Sequence, residues 1–113
     1  MRASLWIAAC LSMCGGLMLA PAAWAQRESN VNGSKLLGLC TAATPANCDA
    51  YLSGVADAMA AAANTAACIP VAVTGRQLRD VVLKYLHDHP RDLQLKAGTL
   101  TTRAYAGAFA CRK

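Results

Sequence analysis

The chain has 113 residues, 56% of them hydrophobic and 15% charged, with 6 cysteines and a formal net charge of +5 at pH 7. A single domain usually holds about 100–150 residues, so this length excludes a two-domain enzyme. The low charge and high apolar content disfavour an intrinsically disordered chain. So many cysteines in a short chain indicate a disulfide scaffold, a metal site or an exported protein.

The first 25 residues have the pattern of a bacterial secretory signal peptide. Arg2 is their only charge, residues 5–19 form an apolar run, and an Ala-x-Ala cleavage pattern ends at Ala25. We expect cleavage after Ala25, which leaves residues 26–113 in the periplasm. An uncleaved membrane anchor is the less favoured alternative, because the apolar run is short and Pro21 interrupts the segment.

Residues 26–113 are predicted to form one domain that two disulfides stabilise. Cleavage would remove two cysteines and leave four, namely Cys40, Cys48, Cys68 and Cys111. An even number of cysteines in a small exported domain is typical of disulfides. A zinc site is disfavoured because no Cys-x2-Cys pair or spaced histidine pair is present. The positive charge includes no basic run, which favours an acidic partner or simple solubility over nucleic acid.

Two helices are predicted in the first half of this domain. The first is short, begins near Asn32 or Ser34, and ends by Cys40. The second has Thr44 as its cap and Pro45 at its first helical position, and it ends at about residue 64. Its apolar residues recur every three or four positions and form one stripe: Cys48, Tyr51, Leu52, Val55, Met59, Ala62 and Ala63.

Gly54 interrupts the second helix. Glycine inside a helix costs about 1 kcal/mol relative to alanine, so a close backbone contact is one explanation for it. The following apolar segment, residues 66–73, is interpreted as an extended loop packed on the core. A strand is disfavoured there because a single strand without a partner is not stable.

The third helix has the clearest boundaries. Thr74 and Gln77 have the spacing of a capping box at its start. His89-Pro90 ends it, because the residue before a proline resists helical geometry. The fourth helix is predicted over about residues 95–109, with four residues facing inward: Ala97, Leu100, Ala104 and Ala108. These elements predict a small all-α bundle of about four helices with two disulfides.

The four cysteines allow three disulfide pairings, and the length of the second helix disfavours one of them. The second helix rises about 22 Å from Cys48 to Ala63. The chain from there to Cys68 spans at most about 18 Å, which disfavours a Cys48–Cys68 bridge. Of the two remaining pairings, Cys40–Cys48 with Cys68–Cys111 is favoured as the simpler one, because it closes the short linker around Pro45 and joins the end of the chain to the loop around Cys68. Cys40–Cys68 with Cys48–Cys111 stays open as the alternative.

The order and spacing of several motifs along residues 36–111 resemble one known family. The motifs in chain order are LLGLC at 36–40, CxxYLSGVAD at 48–57, CIP at 68–70, TxxQLxxVVxxYL at 74–86, HP at 89–90, and AFAC at 108–111. This combination is similar to the type VI secretion amidase-immunity family, the Tai and resistance-associated immunity proteins. The resemblance implies a small periplasmic helical protein with disulfides. It also implies a protein partner, a peptidoglycan-cleaving amidase whose active site the chain would block.

Five residues around the end of the third helix are predicted to contact the partner: Tyr85, Asp88, His89, Arg91 and Asp92. A polar turn that follows a rigid helix is a suitable blocking element, and tyrosine is enriched at binding hot spots. An ordinary solvated turn and helix packing of the tyrosine are the alternatives. Tyr105 is a further candidate anchor, again with helix packing as the alternative.

No catalytic residue, cofactor or metal site is predicted. His87 and His89 lack a third ligand and are typical of a helix carboxyl end. Asp57 has no acid or base partner, and it would bind loop amides if buried. The cysteines of residues 26–113 are used in disulfides, so no nucleophile lies beside a base. The alanine-rich second helix is compatible with a homodimer, and an exported helical chaperone or envelope stress protein is the alternative function.

Overall fold

The computed structural model describes residues 31–112, and the predicted signal peptide lies outside the described residues. Within these residues, four α-helices and one 3-10 turn follow one another in the order α1 (Gly33–Cys40), α2 (Ala46–Ala61), α3 (Gly75–Asp88), a 3-10 turn (Pro90–Asp92) and α4 (Ala97–Ala108). The predicted four-helix, all-α fold is confirmed. The β-type pairing recorded for residues 31–112 is one antiparallel bridge between Asn32 and Lys96. None of the helices in this part of the chain has the length and hydrophobicity to cross a membrane.

Helices α1 and α3 begin at side-chain caps. The Asn32 carboxamide oxygen accepts a hydrogen bond of 2.9 Å from the Lys35 amide. At the start of α3, the Gln77 amide donates to the Thr74 hydroxyl (3.2 Å) and the Thr74 amide donates to the Gln77 side chain (2.8 Å). These bonds satisfy amides that have no partner inside the helix, and they confirm the predicted capping box.

The start of α2 differs from the prediction. Pro45 is the N-cap and makes no side-chain cap bond, so Thr44 does not cap this helix. The Pro45 carbonyl accepts a hydrogen bond from the Asp49 amide, which places the proline before the first helical residue. The Gly54 prediction is also wrong, because Gly54 is exposed and a Cβ there would meet no atom within 4 Å.

The core lies where α2, α3 and α4 meet, with α1 packed across them. Its largest fully buried side chains include one or two from each helix: Leu36, Leu52, Val82, Leu86, Leu100 and Tyr105. The Tyr105 hydroxyl donates a hydrogen bond of 2.9 Å to the Leu52 carbonyl, which joins α4 to α2. Burial raises the pKa of Tyr105, so its hydroxyl stays protonated.

Several alanines predicted to face inward are exposed. Ala62 and Ala63 lie beyond the end of α2, and Ala108 in the last turn of α4 is also exposed. Thr101 is fully buried instead. An exposed alanine leaves little apolar area in water, so alanine periodicity does not determine which helix face is buried.

Both disulfides have the favoured pairing. Cys40 bonds to Cys48 and Cys68 bonds to Cys111, with Cα–Cα distances of 5.0 and 4.9 Å. The Cys40–Cys48 disulfide is buried between α1 and α2, whereas Cys68 and Cys111 are both exposed. One link is therefore part of the core and the other joins two surface segments.

The connector between α2 and α3 is a loop, as predicted. Ala67 is buried and Ile69 packs against the core, while Val71 is fully exposed. The Cys68 amide donates a hydrogen bond of 2.7 Å to the Phe109 carbonyl just after α4. The connector is thus attached to the carboxyl end of the chain at the position of the exposed disulfide.

Candidate partner-binding surface

The end of α3 brings the first three predicted partner-binding residues together. Tyr85 and Asp88 belong to the last turn of α3, and His89 is its C-cap residue. Helical geometry ends there because Pro90 follows and begins the 3-10 turn. Residues four apart lie on the same face of a helix, so Tyr85 and His89 meet at this end.

Tyr85 and His89 form a fixed pair. Their rings stack with centroids 4.0 Å apart and planes 19° apart. The His89 Nδ1 lies 2.8 Å from the Tyr85 carbonyl oxygen. A carbonyl oxygen only accepts hydrogen bonds, so Nδ1 carries the proton and the imidazole is held in one orientation. Both residues are half-buried, which leaves part of each ring for contact with a partner.

Asp88 lies in an exposed ion pair. The Lys84 ammonium is 2.7 Å from a carboxylate oxygen of Asp88, one helical turn away. The hydrogen bond and the positive charge of Lys84 lower the pKa of Asp88. The carboxylate is therefore charged at neutral pH, and water reaches both side chains, so the pair remains available to an incoming charged group.

Arg91 and Asp92 complete the predicted set on the 3-10 turn. Arg91 is exposed and Asp92 is half-buried. The turn is closed by a hydrogen bond of 3.0 Å from the Asp92 amide to the His89 carbonyl. Residues 88–92 line an open pocket with a volume of about 300 Å³. We call these five residues the 88–92 loop.

The chain after this loop is attached to the start of α1. The Gly33 and Ser34 amides donate to the Leu95 and Leu93 carbonyls, each at 3.0 Å, and the Ala97 amide donates to the Val31 carbonyl at 2.9 Å. The first two bonds satisfy free amides of the first turn of α1, and the third satisfies the amide of the first residue of α4. Residues 93–97, here called the anchor segment, therefore hold the 88–92 loop from its carboxyl side.

Gly33 is required for this attachment. A Cβ at Gly33 would lie 2.9 Å from the Leu93 Cα and 3.0 Å from the Leu93 carbonyl oxygen. Any larger residue would push the anchor segment away from α1, because backbone atoms cannot rotate aside as side-chain atoms can. The close approach of two backbones explains a glycine at the first position of a helix.

A groove between α3 and α4 adjoins the loop and was not predicted from the sequence. It has a volume of about 310 Å³ and a mostly apolar lining, formed by Val81, Lys84, Tyr85, Asp88, Ala104, Gly107 and Ala108. Tyr85 and Asp88 therefore border both the groove and the loop end of α3. No local sequence pattern marks the α4 residues of this groove, because their position depends on how α4 packs against α3.

The other candidates from the sequence lie elsewhere. Tyr105 is fully buried, so helix packing is its role and the interface prediction for it is wrong. Asp57 and His87 are exposed on their helices. Among residues 31–112, no group of three or more His, Cys, Asp or Glu side chains is arranged to hold a metal ion.

The chain is thus a small helical domain with two disulfides, and its 88–92 loop is a candidate surface for binding another protein. A family model described as Rap1a immunity proteins matches residues 32–111, which is most of the chain. The chain therefore belongs to the Rap1a immunity protein family. This is a family of immunity proteins of type VI secretion effectors, and membership implies that the chain binds a protein effector. A comparison with curated proteins finds no match.

Proposed function

We propose that the chain is a periplasmic immunity protein that binds and inhibits a peptidoglycan-cleaving amidase effector of a type VI secretion system. The observation that carries the proposal is the family match over residues 32–111. The amidase target is supported by the motif resemblance, and the periplasmic location by the signal-peptide pattern of residues 1–25 and by the two disulfides.

The 88–92 loop is proposed as the element that enters the amidase active site. Its conformation is fixed on one side by the Tyr85–His89 pair and on the other by the anchor segment. A loop held in its bound conformation loses little conformational entropy on binding, which favours high affinity. An inhibitor must stay bound for as long as the toxin persists, so we expect a Kd of about 1 nM or below, near −12 kcal/mol.

A homodimer is a further part of the proposal. Small residues occupy an exposed side of α2 at helical spacing: Ala50, Gly54, Ala58 and Ala61. Small side chains allow two helices to approach closely, so this side of α2 suits a second copy of the chain. Analytical ultracentrifugation of residues 26–113 tests this part, and a single monomeric species at high concentration would reject it.

Periplasmic rescue tests the function. The product of the neighbouring gene is exported to the periplasm of a susceptible cell, with and without residues 26–113. We expect survival when residues 26–113 are present, and lysis with cleaved peptidoglycan cross-links when they are absent. Muropeptide analysis identifies the amidase activity, and its absence in lysing cells would reject the amidase part of the proposal.

Loop and control variants separate specific inhibition from a general effect. The triple substitution D88A/R91A/D92A removes the charged groups of the 88–92 loop, and D57A removes an exposed charge on α2. We expect the loop variant to lose protection and D57A to keep it. Killing that is unaffected by the wild-type chain would reject immunity against that toxin. Binding of many unfolded proteins would instead support an exported chaperone.

A further inference from the structure

The two disulfides differ in access to solvent. Cys40 is 4% exposed and Cys48 is fully buried, whereas Cys68 and Cys111 are both exposed residues. A dithiol must approach a sulfur atom directly to reduce it, so access controls which disulfide reacts. The fold therefore presents one disulfide to a reductant and shields the other.

The segments that Cys68 and Cys111 join also have contacts of their own. The Cys68 amide donates to the Phe109 carbonyl at 2.7 Å, and the Phe109 ring lies 6.3 Å from the Tyr105 ring between centroids. Neither Cys68 nor Cys111 belongs to the buried core cluster. Opening this disulfide would therefore remove a covalent link without removing core packing.

We propose that Cys68–Cys111 is a thiol–disulfide exchange site that a dithiol protein of the thioredoxin type opens, while Cys40–Cys48 stays closed. Arg112 follows Cys111 directly in the chain, and its positive charge stabilises a neighbouring thiolate. A thiolate released at Cys111 is then the better leaving group, so attack is directed to the Cys68 sulfur.

The exchange takes two steps. The thiolate of the dithiol attacks the Cys68 Sγ, forms a mixed disulfide and releases Cys111 as a thiolate, which takes up a proton. The second thiol of the dithiol then attacks the reductant sulfur that is bonded to Cys68. This forms the disulfide of the reductant and releases Cys68, which takes up a proton and becomes a thiol. Two electrons pass from the dithiol to the cystine, so the reductant ends as a disulfide and the chain gains two thiols.

Reduction would affect one face of the molecule. A small groove of about 150 Å³ lies beside Cys68, between α2 and the connector, and its apolar lining includes Ala56, Met59 and Ile69. Without its covalent link to Cys111, the connector at residues 67–69 would be held only by its hydrogen bond and packing. This groove would open, and the 88–92 loop would stay attached to α1 through the anchor segment.

Selective reduction of the oxidised chain, residues 26–113, tests the proposal. The protein is incubated with dithiothreitol for increasing times, alkylated, digested and mapped by mass spectrometry. We expect Cys68 and Cys111 to be labelled about tenfold faster than Cys40 and Cys48, or more. In concentrated guanidinium chloride the two rates should converge, because the difference arises from the fold. Equal rates in the native state, or faster labelling of Cys40 and Cys48, would overturn the proposal.

A trapping experiment tests exchange with a protein. A thioredoxin variant without its resolving cysteine is mixed with the oxidised chain, and the trapped species is peptide-mapped. We expect a mixed disulfide at Cys68, none with the C68S/C111S variant, and retained helical circular dichroism after selective reduction. The wild-type map keeps the test decisive if the double variant does not fold. A mixed disulfide at Cys40 or Cys48, or no mixed disulfide, would contradict the proposal.

Discussion

The two disulfides of this domain differ in burial and in the length of chain they enclose, and the two properties rank them in opposite order. Cys40–Cys48 is buried and spans a sequence separation of 8 residues, whereas Cys68–Cys111 is exposed and spans 43. Loop-closure entropy predicts about 2.6 kcal/mol for the short loop and about 4 kcal/mol for the long one. Core packing adds further stabilisation only to the buried disulfide, Cys40–Cys48. The comparison therefore tests whether chain entropy or core packing dominates in a small helical domain.

Removal of the buried disulfide is expected to have the largest effect. In C40A/C48A we expect the free energy of unfolding to fall by about 4–5 kcal/mol, because two buried sulfur atoms are lost together with the closed loop. Small domains are stable by about 5–15 kcal/mol, so this variant should be close to unfolding. Guanidinium denaturation followed by circular dichroism measures the change. A smaller loss than in the variant without the exposed disulfide would mean that chain entropy dominates.

Removal of the exposed disulfide is expected to cost less and to act locally. In C68A/C111A we expect a loss of about 3 kcal/mol, below the entropic value because residual structure in the unfolded chain reduces the gain from a cross-link. Helical content should be unchanged. Hydrogen exchange should accelerate at the Cys68 position, where the amide bonds to the Phe109 carbonyl, and not at the Ser34 amide. Faster exchange throughout α1 would show that the effect is global.

Two glycines of α1 provide a matched pair of substitutions, because Gly33 is buried and Gly38 is exposed. Gly33→Ala is expected to lower the free energy of unfolding by about 1–3 kcal/mol, because its Cβ would meet the Leu93 backbone at 2.9 and 3.0 Å. Gly38→Ala is the control, since a Cβ there meets nothing within 4 Å, and it should stabilise the protein by about 0.5–1 kcal/mol. Thermal unfolding of both variants measures the contrast. Equal effects would exclude a close contact between Gly33 and the anchor segment.

The two ion pairs within residues 31–112 also differ in exposure, because the Arg79–Asp49 pair is partly buried and the Lys84–Asp88 pair is exposed. Arg79 bonds to the Asp49 carboxylate at 2.8 Å, joins α3 to α2, and has a side chain 17% exposed. Arg79→Met should lower the free energy of unfolding by about 1 kcal/mol. Lys84→Met removes the exposed pair with Asp88 and should leave the denaturation midpoint unchanged. A measurable loss of unfolding free energy in Lys84→Met would show that solvent exposure does not determine how much an ion pair contributes to stability.

The smallest expected effect is electrostatic. Lys84 lowers the pKa of Asp88 by hydrogen bonding and charge. The stabilisation by this exposed pair is too small to move the denaturation midpoint; it is present above the ordinary carboxyl pKa and is lost as the pH falls through the lowered folded value. Carboxyl chemical shifts of Asp88 should therefore titrate at higher pH in Lys84→Met than in the wild type. Salt should reduce the difference, because both side chains are exposed. Identical titration curves would show that Lys84 is not the cause.

Local sequence signals predicted the parts of the fold that depend on neighbouring residues. The Thr74–Gln77 capping box and the stop at His89-Pro90 each involve groups within a few positions, and both occur as predicted. Helix length disfavoured a Cys48–Cys68 bridge and left two disulfide pairings open, and the favoured one of the two is the pairing observed. The Tyr85–His89 stack could also have been predicted, because residues four apart share a helix face.

Features that depend on tertiary packing could not be predicted. The Thr44 cap and the inward position of Ala108 were wrong, because other elements decide where α2 begins and which side of α4 is buried. The groove beside Tyr85 and the anchor segment involve partners far away in the sequence. Gly33 was the one available signal, since a glycine at the start of a helix indicates a close approach without naming the other chain segment.

The attachment of the anchor segment to α1 has a consequence for the order of folding. Many helical bundles fold quickly because most of their contacts join residues close together in the sequence. Here the Gly33 and Ser34 amides in the first turn of α1 are satisfied only when the Leu95 and Leu93 carbonyls reach them. Helix α1 therefore forms its final contacts only after the second half of the chain has been made, and a newly made molecule acquires a rigid 88–92 loop late, after almost the whole domain is available.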